Sequence, residues 1–464
     1  MSTDRPSYEE LGRLLKAALE RIAVLEGENQ ELREALGLKL TSSNSSKPPS
    51  SDPLWIARSQ RERSGKASGG QKGHKGKTLK MVAEPDRVVV HPARQYCQCG
   101  ANKGGGQIQE GIRRQVFDVP EIRIGVTEHR AEVWICQCGR KHQGEFPEGV
   151  NGPVQYGPRV KAIVTYLVVG QLLPYGRTVE ALEELLGIEL SEGSLYGCLE
   201  QAHEELAEVE EGIKQALIQA PTLHVDESSY RQGGEKAWWH VASTRQLTHY
   251  HASSHRGYEG FKSAGILPVY KGNLVHDFFR SYFQISAQHN LCNAHLLREL
   301  QRVEEQYRQD WATQMRALLR QAKLEVEASE QQMLSQTRIK EVHRQFSALV
   351  QQGKILNPPL PQNKKRGKTK QSFAYNLLLR LENHQADILR FIQDPLVPFD
   401  NNQAERDLRM VKLKDKISGC ARGKGATFFA RIRGYLSTLR KQHIQPLAAL
   451  EQLFNGQPVY PRLC

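Results

Sequence analysis

No stretch of this sequence approaches the roughly 18 consecutive apolar residues of a membrane span. Its first ten residues, MSTDRPSYEE, are polar and form no signal-peptide core. Neither a spanning helix nor a secretory signal is expected, so the chain is placed in the cytoplasm. Cysteine is scarce, with eight among 464 residues. In a reducing compartment so few cysteines build no disulfide scaffold, and close pairs are read first as metal ligands. Acid is also in deficit. There are 51 Asp and Glu against 64 Lys and Arg, a formal net charge of +13. That excess favours a polyanion as partner, because cations that neutralise phosphates release condensed counterions. A soluble basic protein with no nucleic-acid role is the alternative. The length accommodates about three domains of ordinary size.

Residues 1–40 carry a heptad pattern. Tyr8, Leu15, Ile22, Asn29 and Leu36 occupy one core position, and Leu11, Ala18, Leu25 and Leu32 the other. Asn29 can pair with its own copy across a parallel dimer, and Arg21–Glu26 and Glu28–Arg33 fit interhelical pairs. A coiled-coil dimerisation zipper is expected, against a plain amphipathic helix packed within the monomer. Residues 41–80 follow as a linker, TSSNSSKPPSSD and then a basic, glycine-rich run. That composition cannot bury a core and is suited to a phosphate backbone or to a solvated tether.

Residues 81–150 hold two matched knuckles, Cys97-Gln98-Cys99-Gly100 and Cys136-Gln137-Cys138-Gly139. Four thiolates suit a closed, structural tetrahedral Zn2+ site in a small β module. The spacing is C-x-C where C-x-x-C is usual, and His91, His129 and His142 are possible substitute ligands. Segments 113–120 and 123–135 read as strands. Residues 151–220 are rich in helix formers, with helices expected over 160–173, 178–187 and 191–217. The last begins at a cap-like Ser191. Short helix, turn and serine-started helix are compatible with a helix-turn-helix. The acidic residues of 180–211 favour a packing role instead, leaving Arg159, Lys161 and Arg177 as the better phosphate contacts.

At residue 221 the pattern changes to strands. PTLHVDESSYR reads as a strand with Asp226 near its end. AWWHVAST (237–244) and QLTHYHAS (246–253) give two more, a helix follows at 257–265, and GNLVHDFFRSYF (272–283) gives a fourth strand ending in Asp277. This order opens a ribonuclease-H-like fold, in which the first and fourth strands are neighbours and their carboxylates can share a metal site. Glu227 is the rival of Asp226, but it points to the opposite face of the strand. A third carboxylate comes from PFDNNQAERDLRMVKLKDKISG (398–419), where Asp400 is a plausible cap. There Glu405 lies in the first turns of a helix, with Arg406, Arg409, Lys412 and Lys416 at helical spacing. Carboxylate oxygens suit Mg2+ (or Mn2+), and two such ions could serve phosphoryl transfer.

HVDESSYR, LVHDFF, NLCNAHLLREL and NNQAERDLRMVKLKDKISG, ending in SGCARGKGA, resemble the insertion sequence 66 family of DDE transposases over nearly the full length. NSSKPPSSD (44–52), GGQKGHKGKTL (69–79) and the cysteine pairs match its linker and zinc-binding region. The resemblance implies a catalytic triad at Asp226, Asp277 and Glu405, with Lys412 as the class's basic residue. It also implies a mostly helical insertion between the last two acids, here about 293–394. Further implications are element ends and target DNA as partners, self-association, and accessory proteins encoded beside the transposase. The implied setting is a bacterial cytoplasm, on the nucleoid when DNA is bound. Cys292 and His295 resemble a family motif and are secondary candidates for metal binding or active-site contact, against a core or cap role. The expected architecture is thus a multidomain α/β chain. A ribonuclease-H-like core with its helical insertion spans 221–445, and a C-terminal tail occupies 446–464. A non-catalytic zipper and zinc regulator, or a nuclease of the same fold without strand joining, are the competing readings.

Overall fold

The computed structural model describes residues 78–99, 112–120, 122, 124–361, 369–419 and 421–463, with scattered positions among 9–25 and at 41, 44 and 103. Of the heptad segment, the described positions are helical and exposed, Leu15, Ala18, Ile22 and Leu25 among them. Tyr8, Leu11, Asn29, Leu32 and Leu36 lie outside the described residues, as does most of the linker.

In the cysteine region the structure is sparser in strands than the sequence suggests. Among the described residues, only β1 (Val133–Ile135) and β2 (Lys141–Gln143) form, paired antiparallel. The second knuckle is the turn between them, closed by Gly139 N–H to the Cys136 carbonyl at 2.7 Å with Gly139 at φ +85°. The described residues of 113–120 and 124–132 carry no strand. Their apolar side chains, Val116, Val119 and Val126 for example, stay exposed, so nothing rewards pairing them.

The helical segment runs α1 (Pro158–Thr165), α2 (Tyr175–Leu186), α3 (Glu192–Glu205) and α4 (Ala207–Gln219). Pro158 opens α1 at a position whose N–H needs no helical partner, and Tyr166–Gly170 continues it as a wider π-type turn. Gly187, at φ +64°, closes α2. Ser191 caps α3 by accepting from Ser194 N–H at 3.0 Å. The single helix expected over 191–217 is broken at Leu206, which is buried at the junction.

Then comes the sheet: β3 (Thr222–Gln232), β4 (Glu235–Ser243), β5 (Thr248–Ser253), helix α5 (Tyr258–Ala264), β6 (Asn273–His276) and β7 (Gln288–Leu291). Its order is β5-β4-β3-β6-β7. The first three strands are an antiparallel meander, and β6 and β7 add in parallel beside β3. Gly233 and Gly234, at φ +58° and +92°, make the two-residue turn that joins β3 to β4. Strand β3 continues six residues past Asp226, so Asp226 is mid-strand and not near its end.

Between β7 and the last carboxylate lie α6 (Asn293–Tyr307), α7 (Asp310–Ala328), α8 (Gln336–Leu356), α9 (Phe373–Asn383) and α10 (Gln385–Leu389). They close their own hydrophobic cluster around Trp311, Met315, Phe346 and Leu378. The chain returns through α11 (Asn402–Ser418), α12 (Gly425–Lys441) and α13 (Pro446–Phe454). Helix α12 packs on β5, with Gly434 against the Thr248 backbone. The tail expected from 446 is instead a helix through Phe454, burying Ala449, Leu450 and Leu453. One hydrophobic cluster runs from Ala162 to Phe454, so α1–α4 and the sheet share a core. Buried Arg433 ties them together by donating to the Val169 and Gly170 carbonyls.

Candidate active site

The parallel ladder between β3 and β6 pairs Thr222 with Asn273, Leu223 with Leu274 and His224 with Val275. Continued two steps, that register sets Asp226 opposite Asp277. The β6–β7 ladder pairs His276 with Leu291, so one step further sets Asp277 opposite Cys292. Asp226, Asp277 and Cys292 thus form one row across three neighbouring strands, past the carboxyl ends of the parallel pair. Ligands in open α/β sheets bind outside the carboxyl ends of strands.

The two acids feel each other. Burial raises the Asp226 carboxyl well above the ordinary range, and the charges of Glu227 and Asp277 add to the shift, with Lys412 opposing it. Burial pushes Asp277 up to about 6, with Glu227 adding and the Phe279 N–H and Arg256 opposing. Each has one short anchor: Asp226 Oδ1 accepts from Glu227 N–H at 2.8 Å, and Asp277 Oδ1 from Phe279 N–H at 2.8 Å. Glu227 is engaged elsewhere. Its carboxylate accepts from Arg256 at 2.9 and 3.1 Å and from the Tyr282 hydroxyl at 2.7 Å. His224, two residues before Asp226 and on its face of the strand, meets α11. Glu227 points the other way.

Glu405 arrives on the fourth residue of α11. Burying Ala404, Leu408 and Val411 turns this helix against β3 and β4. The same rotation leaves Arg406, Arg409 and Lys416 exposed and Lys412 half-buried. The helix start is set by Asn401, which is 1% exposed. Its Nδ2 donates to the Val225 carbonyl at 2.8 Å, and its Oδ1 lies 2.9 Å from His224 Nδ1. Its own N–H reaches Cys292 Sγ at 3.2 Å. Asp400, the expected cap, lies one residue before the cap position, which Asn401 takes, and accepts from Asn402 N–H at 3.0 Å.

Burial raises the Glu405 carboxyl, while Arg298, Lys412 and Arg409 oppose the shift. Its Oε1 is buried with no hydrogen-bond partner. His295 Nδ1 is 3.7 Å away and Arg298 Nη2 3.9 Å. Burial, with the charges of Arg298 and Lys412, pushes His295 down to about 3, so it faces Glu405 as a neutral ring. Cys292 is fully buried at the start of α6, and burial pushes its thiol up to about 12. Among the described residues, Cys292, His295 and Glu405 are the group whose ligand atoms all lie within 4.8 Å of one another. Asp226 and Asp277 form a separate acidic patch, and the charge of Lys412 acts on Asp226 and on Glu405.

The donor chemistry of the two aspartates and Glu405 fits a hard divalent cation. All three offer oxygens, all have raised carboxyls, and one Glu405 oxygen is left unpartnered. The four knuckle sulfurs are different. Cys97, Cys99 and Cys138 are exposed, Cys136 half-buried, and none joins a three-ligand set among the described residues. Within each knuckle a hydrogen bond from the second cysteine holds the first thiol below its usual range.

Residues 153–427 match the model of the IS66 transposase family. The chain belongs to that family. A transposase role follows, with DNA as the partner the family implies. Residues 5–80 match a second family, one of unknown function (DUF6444), covering the heptad segment and the linker. No curated protein matches the chain. No helix among the described residues is long and apolar enough to cross a membrane. Besides the acids singled out by sequence, the site contains Asn401, His224 and Arg298. Cys292, His295 and Arg298 recur three apart along NLCNAHLLREL, a spacing that places them on one side of α6.

Proposed function

We propose that this IS66-family protein is a DDE-type transposase that cleaves DNA at the ends of its element and joins the freed strand to target DNA. The observation that carries this reading is the parallel ladder of β3 with β6, which continued two steps sets Asp226 opposite Asp277, both with raised carboxyls. Glu405 lies one turn after Asn401, whose side chain is bonded to the same strand at Val225. A meander of three strands, then two parallel strands beside the first, supports a ribonuclease-H-like core.

In the first stage a water oxygen bonds to phosphorus as the P–O3′ bond breaks, leaving a 3′-hydroxyl and a 5′-phosphate. In the second, that hydroxyl bonds to a target phosphorus as the target's own P–O3′ bond breaks. Two Mg2+ (or Mn2+) ions would supply activation of the attacking oxygen and stabilisation of the leaving one. Asp226 and Asp277 would offer their carboxylates from adjacent strands, and Glu405 would complete the set from α11. Lys412 balances the charge between the two groups. Arg406, Arg409 and Lys416 present cations to the phosphates on the exposed side of the same helix.

Exposed Leu15, Ile22 and Leu25 on the N-terminal helix support self-association, which two DNA ends require. Structural zinc at the knuckles would need the two pairs to close on each other. Accessory proteins of the element and a bacterial cytoplasmic, nucleoid-associated setting complete the reading.

The test is Mg2+-dependent cleavage of a duplex carrying the element's ends, comparing the intact chain with Asp226→Asn and Glu405→Gln. Loss in both, with DNA binding kept, is the expected result. Equal cleavage by all three overturns the triad. A non-catalytic regulator would bind the duplex and leave it uncut even with the element's accessory proteins added. A nuclease would cut without joining.

A further inference from the structure

We infer that Cys292, His295 and Glu405 form a binding site for a borderline-soft divalent cation of the zinc class, distinct from the all-oxygen site of the aspartates and sharing Glu405 with it. One thiol sulfur, one imidazole nitrogen and one carboxylate oxygen lie within 4.8 Å of one another. Zinc bonds of about 2.0–2.3 Å in a tetrahedron separate ligand atoms by roughly 3.5 Å, close to the 3.7 Å between His295 Nδ1 and Glu405 Oε1. Both atoms are among the buried side-chain atoms without a hydrogen-bond partner, with Arg298 Nη2 3.9 Å from the same Glu405 oxygen. An orphaned imidazole nitrogen facing an orphaned carboxylate oxygen is costly unless something lies between them.

The donor set decides the metal. Sulfur and nitrogen beside one carboxylate favour Zn2+ and disfavour Mg2+, which takes oxygen ligands. Three protein ligands leave the fourth position open. The Asn401 N–H donates to Cys292 Sγ at 3.2 Å, an outer-shell contact that suits a thiolate. Binding is balanced as thiol plus M2+ giving metal thiolate plus H+, so the proton on Cys292 leaves to solvent. The charged groups acting on the site are Arg298, Lys412 and Arg409, which oppose a cation, and Asp400, which favours one.

The consequence for catalysis rests on the triad reading above, whereas the site itself does not. A cation held by Cys292 and His295 would commit Glu405 away from the aspartates, so zinc would act as an inhibitor of the magnesium-dependent reaction.

Zinc bound per chain is to be measured by equilibrium dialysis and metal analysis of the full-length protein. The comparison is with Cys292→Ser and His295→Gln, each also in a background with Cys97, Cys99, Cys136 and Cys138 changed to Ser. Thermal unfolding verifies the fold, and half-buried His295 guards against Cys292→Ser failing to fold. The expected result is about one zinc fewer in each single variant, in both backgrounds. With Co2+ as the probe, a thiolate-to-metal absorption band should disappear in Cys292→Ser. Equal zinc content in the intact chain and folded His295→Gln overturns the site. In the cleavage assay zinc should inhibit the intact chain at least tenfold more strongly than His295→Gln. If neither protein cleaves DNA, the triad reading fails while the metal count still decides the site.

Discussion

Asn401 Oδ1 lies 2.9 Å from His224 Nδ1, and the same side chain donates from Nδ2 to the carbonyl of Val225. Because Nδ2 is the donor, Oδ1 accepts, which puts the His224 proton on Nδ1. A residue one turn before Glu405 is thereby fastened to the strand immediately before Asp226. Two acids 179 positions apart in the chain, 226 and 405, are held in relation by one buried amide.

Replacing that amide should therefore damage both stability and chemistry. Asn401→Ala removes two hydrogen bonds and leaves His224 Nδ1 and a backbone carbonyl unpaired in the interior, at a cost of about 2–4 kcal/mol. A shift of Glu405 by about 1 Å would lower cleavage by roughly a hundredfold. Thermal unfolding and a cleavage assay check both, with duplex binding unchanged. Normal cleavage by a destabilised Asn401→Ala would show that the network supports the fold alone.

The row of Asp226 and Asp277 was legible in sequence because it depends on local signals. The run PTLHVDESSYR between turn signals puts Asp226 on a strand, and the short apolar run in LVHDFF puts Asp277 at the end of one. Asn401 was not legible, since its partners are 176 and 177 residues away and nothing nearby marks an asparagine as an anchor. The break at Leu206 was missed for a related reason. It carries neither glycine nor proline and is imposed by burial of Leu206 between two amphipathic helices. Helix α13 falls in the stretch expected to be tail although its signal is present, Pro446 at the first helical position before LAALEQLF. The strands expected over 113–135 mostly did not form, because β-prone residues pair only where a packed face receives them.

Asp277 should strain the metal-free protein. Its folded carboxyl titrates at about 6 against an ordinary 3.8, so folding takes up a proton between those values. Stability contributed by the protonated form is present below pH 3.8 and is lost as pH rises to about 6. Asp277→Asn keeps an oxygen for the Phe279 N–H and removes the charge. It should raise the melting temperature at pH 7.5 in chelator, by up to about 3 kcal/mol of stability, with the gain gone near pH 4. A lower melting temperature at both pH values would mean that the carboxylate is stabilising in its place.

Glu227 is the adjacent acid that the triad excludes. Its carboxylate is 2% exposed and satisfied by Arg256 and Tyr282. Glu227→Gln keeps the shape and one acceptor oxygen, and it lowers the repulsion on Asp226 and Asp277. Cleavage by this variant should stay within about tenfold of the intact chain. Asp226→Asn should lose at least about a thousandfold, roughly 4 kcal/mol of transition-state stabilisation. The reverse ranking would move the first carboxylate from Asp226 to Glu227.

The exposed cations of α11 should reveal themselves in salt dependence rather than in chemistry. Arg406, Arg409 and Lys416 are exposed along the helix that carries Glu405, while Lys412 is half-buried beside it. If each of the three neutralises one phosphate, changing all three to Gln should reduce the slope of log affinity against log salt by roughly 2.7, at about 0.9 per phosphate on duplex DNA. The loss should be uniform across duplex sequences, because phosphate contacts carry no base information. Titrations at several salt concentrations read this directly. An unchanged slope would place the DNA on another face of the molecule, and Arg159, Lys161 and Arg177 of the helical segment would be the next cations to substitute.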